Sequence, residues 1–359
     1  MNRFVIITNY EETFNGFTYK DGLNVLDKPF EIYGTCVKGG LYFTKLEYIY
    51  KFYGDGIYLR KVILPKEDPE FKMIRDPTGY MFRANKIILG KRYCLLDFNT
   101  YIKFSIDVRT NNYLIYFASK YGRLDVLEQW KNNKIQLKYS NNAIDSASEN
   151  GHIEILEWWK NISPDEKIFN GNDFSTKSFS HLKYSCRSMD SASAKGLVDV
   201  LEWWKNSGLK LKYSCNAIEL ASANGQIKSL QWWSDAAFND NLELFYHIEA
   251  IDLASANGKI QSLEWWKNSN LDLMYSVNAI NFASANGHSY ILEWWENSGL
   301  DLVYTNDAIN LAFANGYWNI LEWWKNSTLT KSQYAHEKLI CSSKAIDAEP
   351  ANEHIEILE

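Results

Sequence analysis

The sequence of 359 residues predicts an α+β leader domain followed by an all-α helix–turn–helix solenoid. Three observations carry this expectation. One phrase ending in a tryptophan pair recurs through most of the chain. Its copies centre on glycines at a regular spacing, and residues 1–105 contain no copy of it. The expected division is therefore a leader at 1–105 and repeats at 106–359, with seven glycine-centred copies and a truncated eighth.

The leader alternates short apolar runs with Gly and Pro punctuation, the pattern of strands joined by turns. The runs are RFVIITNY at 3–10, LYFT at 41–44, IYLRKVILP at 57–65 and NKIILG at 85–90. One helix is expected across 45–53, KLEYIYKFY. The resulting mostly β domain is expected to pack on the bulky first helix of the array through Leu114, Ile115 and Phe117.

The repeat is clearest in NAIELASANGQIKSLQWW at 216–233, EAIDLASANGKIQSLEWW at 249–266 and NAINFASANGHSYILEWW at 278–295. Its central glycines are 122, 151, 196, 225, 258, 287 and 316, with Glu353 in the eighth slot, giving spacings of 29, 45, 29, 33, 29, 29 and 37. A 29-residue unit thus carries insertions of 16, 4 and 8 residues, all between the tryptophan pair and the next copy.

Each unit reads as two short helices. Asn142, Asn216 and Asn278 precede the first, with Asp145, Glu219 or Asn281 three positions on, a spacing that predicts a capping box. Ala147, Ser148 and their equivalents keep one face thin for close approach of neighbours. The following Asn-Gly ends the helix, because glycine adopts the left-handed conformation without penalty. On the second helix Ile153, Ile155, Leu156 and Trp159 span one apolar arc with Trp158 at its edge. The second tryptophan of each pair is therefore expected in the core. Such pairs bury a continuous core only by stacking.

This wording resembles the ankyrin repeat. Gly151-His152 and Glu154-Ile155-Leu156 match that family's G-H-x-E-I-V, and Gly208 and Gly299 match its glycine after the second helix. The resemblance covers roughly 108–359 and is closest to ankyrin repeat proteins of giant amoebal viruses such as mimivirus. AID stands where the family has T-P-L-H, and GLKLKYS or LDLMYS stands where its hairpin finger would be. The resemblance implies a non-enzymatic scaffold binding a host or viral protein, acting in the host cytoplasm or in the virion. One alternative is an adaptor whose leader docks on cellular machinery. Another is a transferase-like leader aimed by the repeats, since GGLYFT at 39–44 is similar to the G-x-Y-F strand of ADP-ribosyltransferases. That family's histidine has no counterpart, for none precedes His152.

Composition excludes several classes. With 38 basic and 44 acidic residues the net charge is −6, opposite to the footprint a nucleic-acid binder needs. No apolar run reaches the length of a membrane span, and the amino terminus lacks a secretory h-region. The five cysteines (36, 94, 186, 215 and 341) show no CxxC spacing, and Cys186 and Cys215 recur at one repeat position, so a reducing compartment is expected. No phosphate loop, metal-ligand spacing or catalytic motif stands out, and the six histidines are scattered. No catalytic residue, cofactor or metal is predicted. Glu157/Lys160 and Glu202/Lys205 read as solvated helix pairs.

The insertions are the candidate binding elements, because insertions in repeat arrays emerge on one face. The segment 162–182 brings Phe169, Phe174 and Phe179, and the one near 235–246 brings Phe238, Phe245 and Tyr246. Exposed aromatics make effective anchors for a protein partner. The eighth copy stops at Glu359 before any tryptophan pair, an apolar edge expected to be covered by a partner or a second copy.

Overall fold

The computed structural model describes residues 3–14, 16–35, 37–133, 139–162 and 182–327. They fall into two compact units, divided between Ala147 and Ser148, between Ile153 and Glu154, and between Tyr184 and Ser185.

The first unit begins with an antiparallel sheet. Its strands are β1 (Phe4–Thr8), β4 (Gly22–Val25), β5 (Leu41–Lys45), β6 (Tyr58–Ile63), β7 (Met73–Arg75), β8 (Met81–Ala84) and β9 (Lys86–Cys94), in the order β4-β9-β6-β1-β5-β8-β7. A small hairpin, β2 (Thr13–Phe14) and β3 (Phe17–Thr18), forms its own two-stranded sheet, with Phe14 and Phe17 packed against the apolar cluster of the larger one. The central strand β1 is apolar from Phe4 to Ile7, and both its faces are covered. Val5 and Ile7 join a cluster with Ile49, Tyr53, Leu59 and Phe104, while Ile6 joins Leu41, Phe43, Ile87 and Leu89 on the other side. The four predicted runs are strands, and β4, β7 and β8 lie in stretches too polar or too short to signal themselves.

The helix expected over 45–53 is instead two 3₁₀ segments, Leu46–Lys51 and Tyr53–Asp55. Phe52 between them leaves helical geometry, at φ −118° and ψ 5°. Gly56 then brings the chain against β1 so closely that a Cβ would stand 2.1 Å from the Thr8 carbonyl oxygen. Two arginines are buried in the sheet. Arg60 donates to the Gly90 carbonyl and pairs with Glu12 and Asp21, and Arg83 donates to the Gly34 and Tyr33 carbonyls.

Helix α1 (Phe98–Phe104), capped by Asp97, leads from the sheet to the first copy, α2 (Leu114–Lys120) and α3 (Leu124–Asn132). Leu114, Ile115 and Phe117 are buried, and Tyr10 of the sheet region stacks on Tyr121 at 6.1 Å. The next copy supplies α4 (Asn141–Glu149) and α5 (Ile153–Asn161).

In the second unit the first helices α6 (Arg187–Ala194), α8 (Asn216–Ala223), α10 (Glu249–Ala256), α12 (Asn278–Ala285) and α14 (Asp307–Ala314) pack side by side in chain order. Each is followed by a second helix: α7 (Val198–Asn206), α9 (Ile227–Asp240), α11 (Ile260–Asn268), α13 (Ser289–Asn297) and α15 (Trp318–Asn326). The glycine of every turn is left-handed, with φ between 64° at Gly122 and 79° at Gly151.

The second tryptophans, 130, 159, 204, 233, 266, 295 and 324, are all at most 1% exposed, as the helical arc predicts. Each indole from Trp159 onward donates to a serine of the preceding copy: Trp159 to Ser119, Trp204 to Ser148, Trp233 to Ser193, Trp266 to Ser222, Trp295 to Ser255 and Trp324 to Ser284. Trp130 belongs to the first copy, has no such serine before it, and its Nε1 finds no partner. The thin first-helix face therefore does more than admit close approach: its serine is the acceptor for the next copy.

The expected capping box does not form at Asn216 or Asn278. The residues in the cap position are Cys186, Cys215, Ile248, Val277 and Asn306, none with a side-chain cap bond, and Asn216 and Asn278 lie inside their helices. The side chain three positions further on reaches the next copy instead. Asp190 accepts from the backbone N–H and hydroxyl of Ser214 at 2.9 and 2.6 Å, and Asp252 likewise from Ser276. Asn281 pairs with Thr305, and Glu219 with His247.

Candidate partner-binding surface

The four-residue insertion lengthens one second helix. α9 has 14 residues where α7, α11, α13 and α15 have nine. Leu230, Trp232, Trp233 and Ala236 hold its buried face, and Phe238, two residues beyond Ala236, points away from it at 88% exposure. Asn241 ends the helix in the left-handed region, at φ 54°. Phe245 is 41% exposed, with its ring 5.7 Å from that of Tyr213.

Tyr246 has a different setting. Its ring lies 4.9 Å from that of Trp266, as Tyr213 lies against Trp233, Tyr275 against Trp295 and Tyr304 against Trp324. Its hydroxyl donates to the Asp272 carbonyl of the next copy, as that of Tyr275 does to Asp301. Of the sequence-derived candidates, Phe238 and Phe245 are thus exposed and Tyr246 occupies a packing position common to the repeats. Phe169, Phe174 and Phe179 lie outside the described residues, as does the truncated eighth copy.

A second apolar feature was not singled out from the sequence. In four successive first helices one position carries Leu220, Leu253, Phe282 and Leu311, of which Leu220, Phe282 and Leu311 are 38–40% exposed and Leu253 half-buried. Its neighbours Ile218 and Ala221 are buried, so the packed face is already complete without it. The signal available was a change of residue type: the same position is Ser146 and Ser191 in earlier copies.

The charged positions on the second helices have a structural task beyond their salt bridges. Glu157–Lys160 and Glu202–Lys205 do pair, at 3.8 and 3.4 Å. At four seams the residue two before the second tryptophan also accepts from the first tryptophan of the next copy: Trp158 donates to Glu128, Trp232 to Glu202 and Trp294 to Glu264, while Trp265 donates to Gln231. The Trp232 bond is the largest influence holding the Glu202 carboxyl below its ordinary range. Burial pushes Asp252 the other way, and depresses His288 at the turn before α13.

The GGLYFT stretch at 39–44 leads into strand β5. Tyr42 and Phe43 are buried in β5, and the Tyr42 hydroxyl donates to the Val37 carbonyl. Metal-ligand spacing is absent from the sequence, yet folding brings Cys215, Glu219 and His247 together, with donor atoms all within 4.8 Å of one another. Among the described residues no helix is long and apolar enough to cross a membrane.

No family model matches the chain. It is similar to several proteins of Acanthamoeba polyphaga mimivirus. One, provisionally named ankyrin repeat protein R868, is 43% identical over 134 residues, covering 36% of this chain and 66% of that protein. Another of that designation, R229, is 44% identical over 26% of this chain and 33% of its own length. The uncharacterized protein R869 is 42% identical over 29% of this chain and 79% of its own length. The chain thus spans a third to two thirds of the first two relatives. Among solved structures, the human ASB11 ankyrin repeat domain aligns with 66% of this chain and 99% of its own, at 13% identity and a TM-score of 0.38.

Proposed function

The chain belongs to the family of mimivirus ankyrin repeat proteins, and we propose that it is a non-enzymatic scaffold holding a host or viral protein. The observation that carries this reading is the ladder of Leu220, Leu253, Phe282 and Leu311, apolar side chains kept at one position of successive helices where packing does not need them. A preorganised row of this kind loses little entropy on binding, and its repetition sets the reach of the surface. Phe238 and Phe245 are proposed as a second anchor, supported by the exposure that the extra helical turn gives Phe238. Residues 1–105 are proposed as a distinct leader beside the repeats of 106–359, acting in the host cytoplasm.

The experiment is capture from amoebal lysate followed by mass spectrometry. The full chain is compared with a Leu220→Ser/Phe282→Ser/Leu311→Ser variant, with Phe238→Ser and with a 163–180 deletion. Loss of one stoichiometric protein on the ladder substitutions, with unchanged circular dichroism and melting temperature, supports the reading. Equal capture by all of these chains, or no specific capture by the native chain, defeats it.

A further inference from the structure

We propose that Cys215, Glu219 and His247 form a binding site for a thiophilic divalent cation, zinc by its ligand preference, at the junction of two successive repeats. Cys215 stands at the start of α8 and Glu219 four residues later, so the thiol and the carboxylate share one face of the helix. His247 comes from the next copy. Its backbone N–H donates to Glu219 Oε1 at 3.1 Å, which fixes the residue, and its ring Nδ1 lies 3.0 Å from the same oxygen.

All three donor atoms lie within 4.8 Å of one another. Tetrahedral zinc with bonds of roughly 2.0–2.3 Å needs its donors roughly 3.3–3.6 Å apart. The histidine–glutamate pair is already that close. Side-chain rotation at Cys215, which is half-buried, and at His247, which is exposed, closes the remainder.

Proximity alone would also describe an ordinary junction pair, and the other junctions show what such a pair looks like. There the partners are Asp190–Ser214, Asp252–Ser276 and Asn281–Thr305. Among these described junctions only Glu219–His247 pairs a longer acid with an imidazole, and only there does a cysteine precede the acid by four residues with a histidine opposite. In the preceding copy Cys186 and Asp190 have the same spacing, but the next copy offers Ser214 where His247 would stand. The cysteine column therefore does not require the imidazole for packing, and a serine would have served the junction.

Charge favours the same occupant. A thiol gives up its proton to ligate a metal, and at Cys215 the Glu219 carboxylate stands beside it. A dication displaces that proton and neutralises two adjacent anions. Sulfur and imidazole donors select zinc-like ions over calcium or magnesium. With three protein ligands a fourth position remains for water, which makes the site open and exchangeable. Because its ligands come from two copies, occupancy ties one repeat to the next and stabilises the array by mass action.

Cobalt(II) titration of the full, untagged chain under reducing conditions tests this. The expected result is one bound equivalent with a thiolate-to-cobalt charge-transfer band that zinc abolishes by displacement. The Glu219→Asp/His247→Ser double variant installs the pair already present at Asp252–Ser276. It is expected to keep the native circular dichroism and lose the band entirely, as is Cys215→Ser, whereas Cys186→Ser keeps it. Absence of the band from the native chain, or its persistence in the double variant or in Cys215→Ser, overturns the proposal.

Discussion

The indole Nε1 of Trp266 donates to Ser222 Oγ at 2.8 Å, across the boundary between one repeat and the next. The same hydroxyl donates to the carbonyl of Ala250 at 2.5 Å, in the first helix of the copy that contains Trp266. One serine thus holds both helices of its neighbour. The relation recurs at Ser193 with Trp233 and Ala217, and at Ser255 with Trp295 and Ala279.

Trp266→Ala removes a buried ring and this bond together, and is expected to cost about 3–5 kcal/mol in urea unfolding. Ser222→Ala leaves the Trp266 indole N–H without its acceptor in the core and removes the second bond to the Ala250 carbonyl, at a cost of about 1–3 kcal/mol. A loss below about 1 kcal/mol for Trp266→Ala would contradict the core assignment.

Glu202→Gln keeps an acceptor for Trp232, as Gln231 already provides one for Trp265. The native carboxyl titrates below its ordinary range in the folded state. Its contribution is therefore present above the unfolded value and is lost as pH falls through the folded one. The variant is expected to lack this acid-side component, so urea midpoints of the two chains, separated at neutral pH, should converge as pH falls below the ordinary glutamate value of about 4.3.

Asp252 carries the opposite sign. Burial raises its folded value, so its contribution is full below the unfolded value and is lost as pH rises through the folded one. In Asp252→Asn the amide can bond Ser276 as Asn281 bonds Thr305. The variant is expected to be at least as stable as the native chain at neutral pH and to lose that advantage on acidification. Midpoints measured across the carboxylate range check this. An advantage that grows with acid would refute the assignment.

Phe238→Ser is expected to leave stability within about 0.5 kcal/mol, since the ring is almost wholly exposed. A calorimetric melting point checks this directly. A larger loss would mean that the ring is packed in solution and is no anchor.

The repeats were legible because period and composition agree: the glycine turns, the tryptophan arc and the small-residue face each follow from local spacing. The junction pairs were not legible. Asn216 followed by Glu219 has the form of a capping box, but the acid turns to His247, 28 residues away, and no local pattern announces a bond of that range. The candidate cation site was hidden for the same reason, its three donors coming from two copies. In the leader, β1 was readable because both faces are buried. The stretch at 45–53 was misread because Ile49 and Tyr53, spaced as on an α-helix, lie on separate 3₁₀ segments. The exposed ladder was visible only as a change from serine to leucine or phenylalanine between copies.

The junction pairs also bear on how such a chain can change its number of copies. Asp252 finds its partner in Ser276 and Glu219 in His247, each in the following copy. A recombination event that cut anywhere between an acid and its mate, from the glycine turn to the residue before the mate, would separate the two. Joining the Glu219 copy to one that begins with Ser276 would put a long acid opposite a short hydroxyl. Crossovers that keep every pair matched must instead fall between a mate and the next acid or amide, as between Ser276 and Asn281 in the first turn of a first helix. The heritable block therefore runs from one such residue to the next, beginning just inside a first helix, and each block carries its own matched seam.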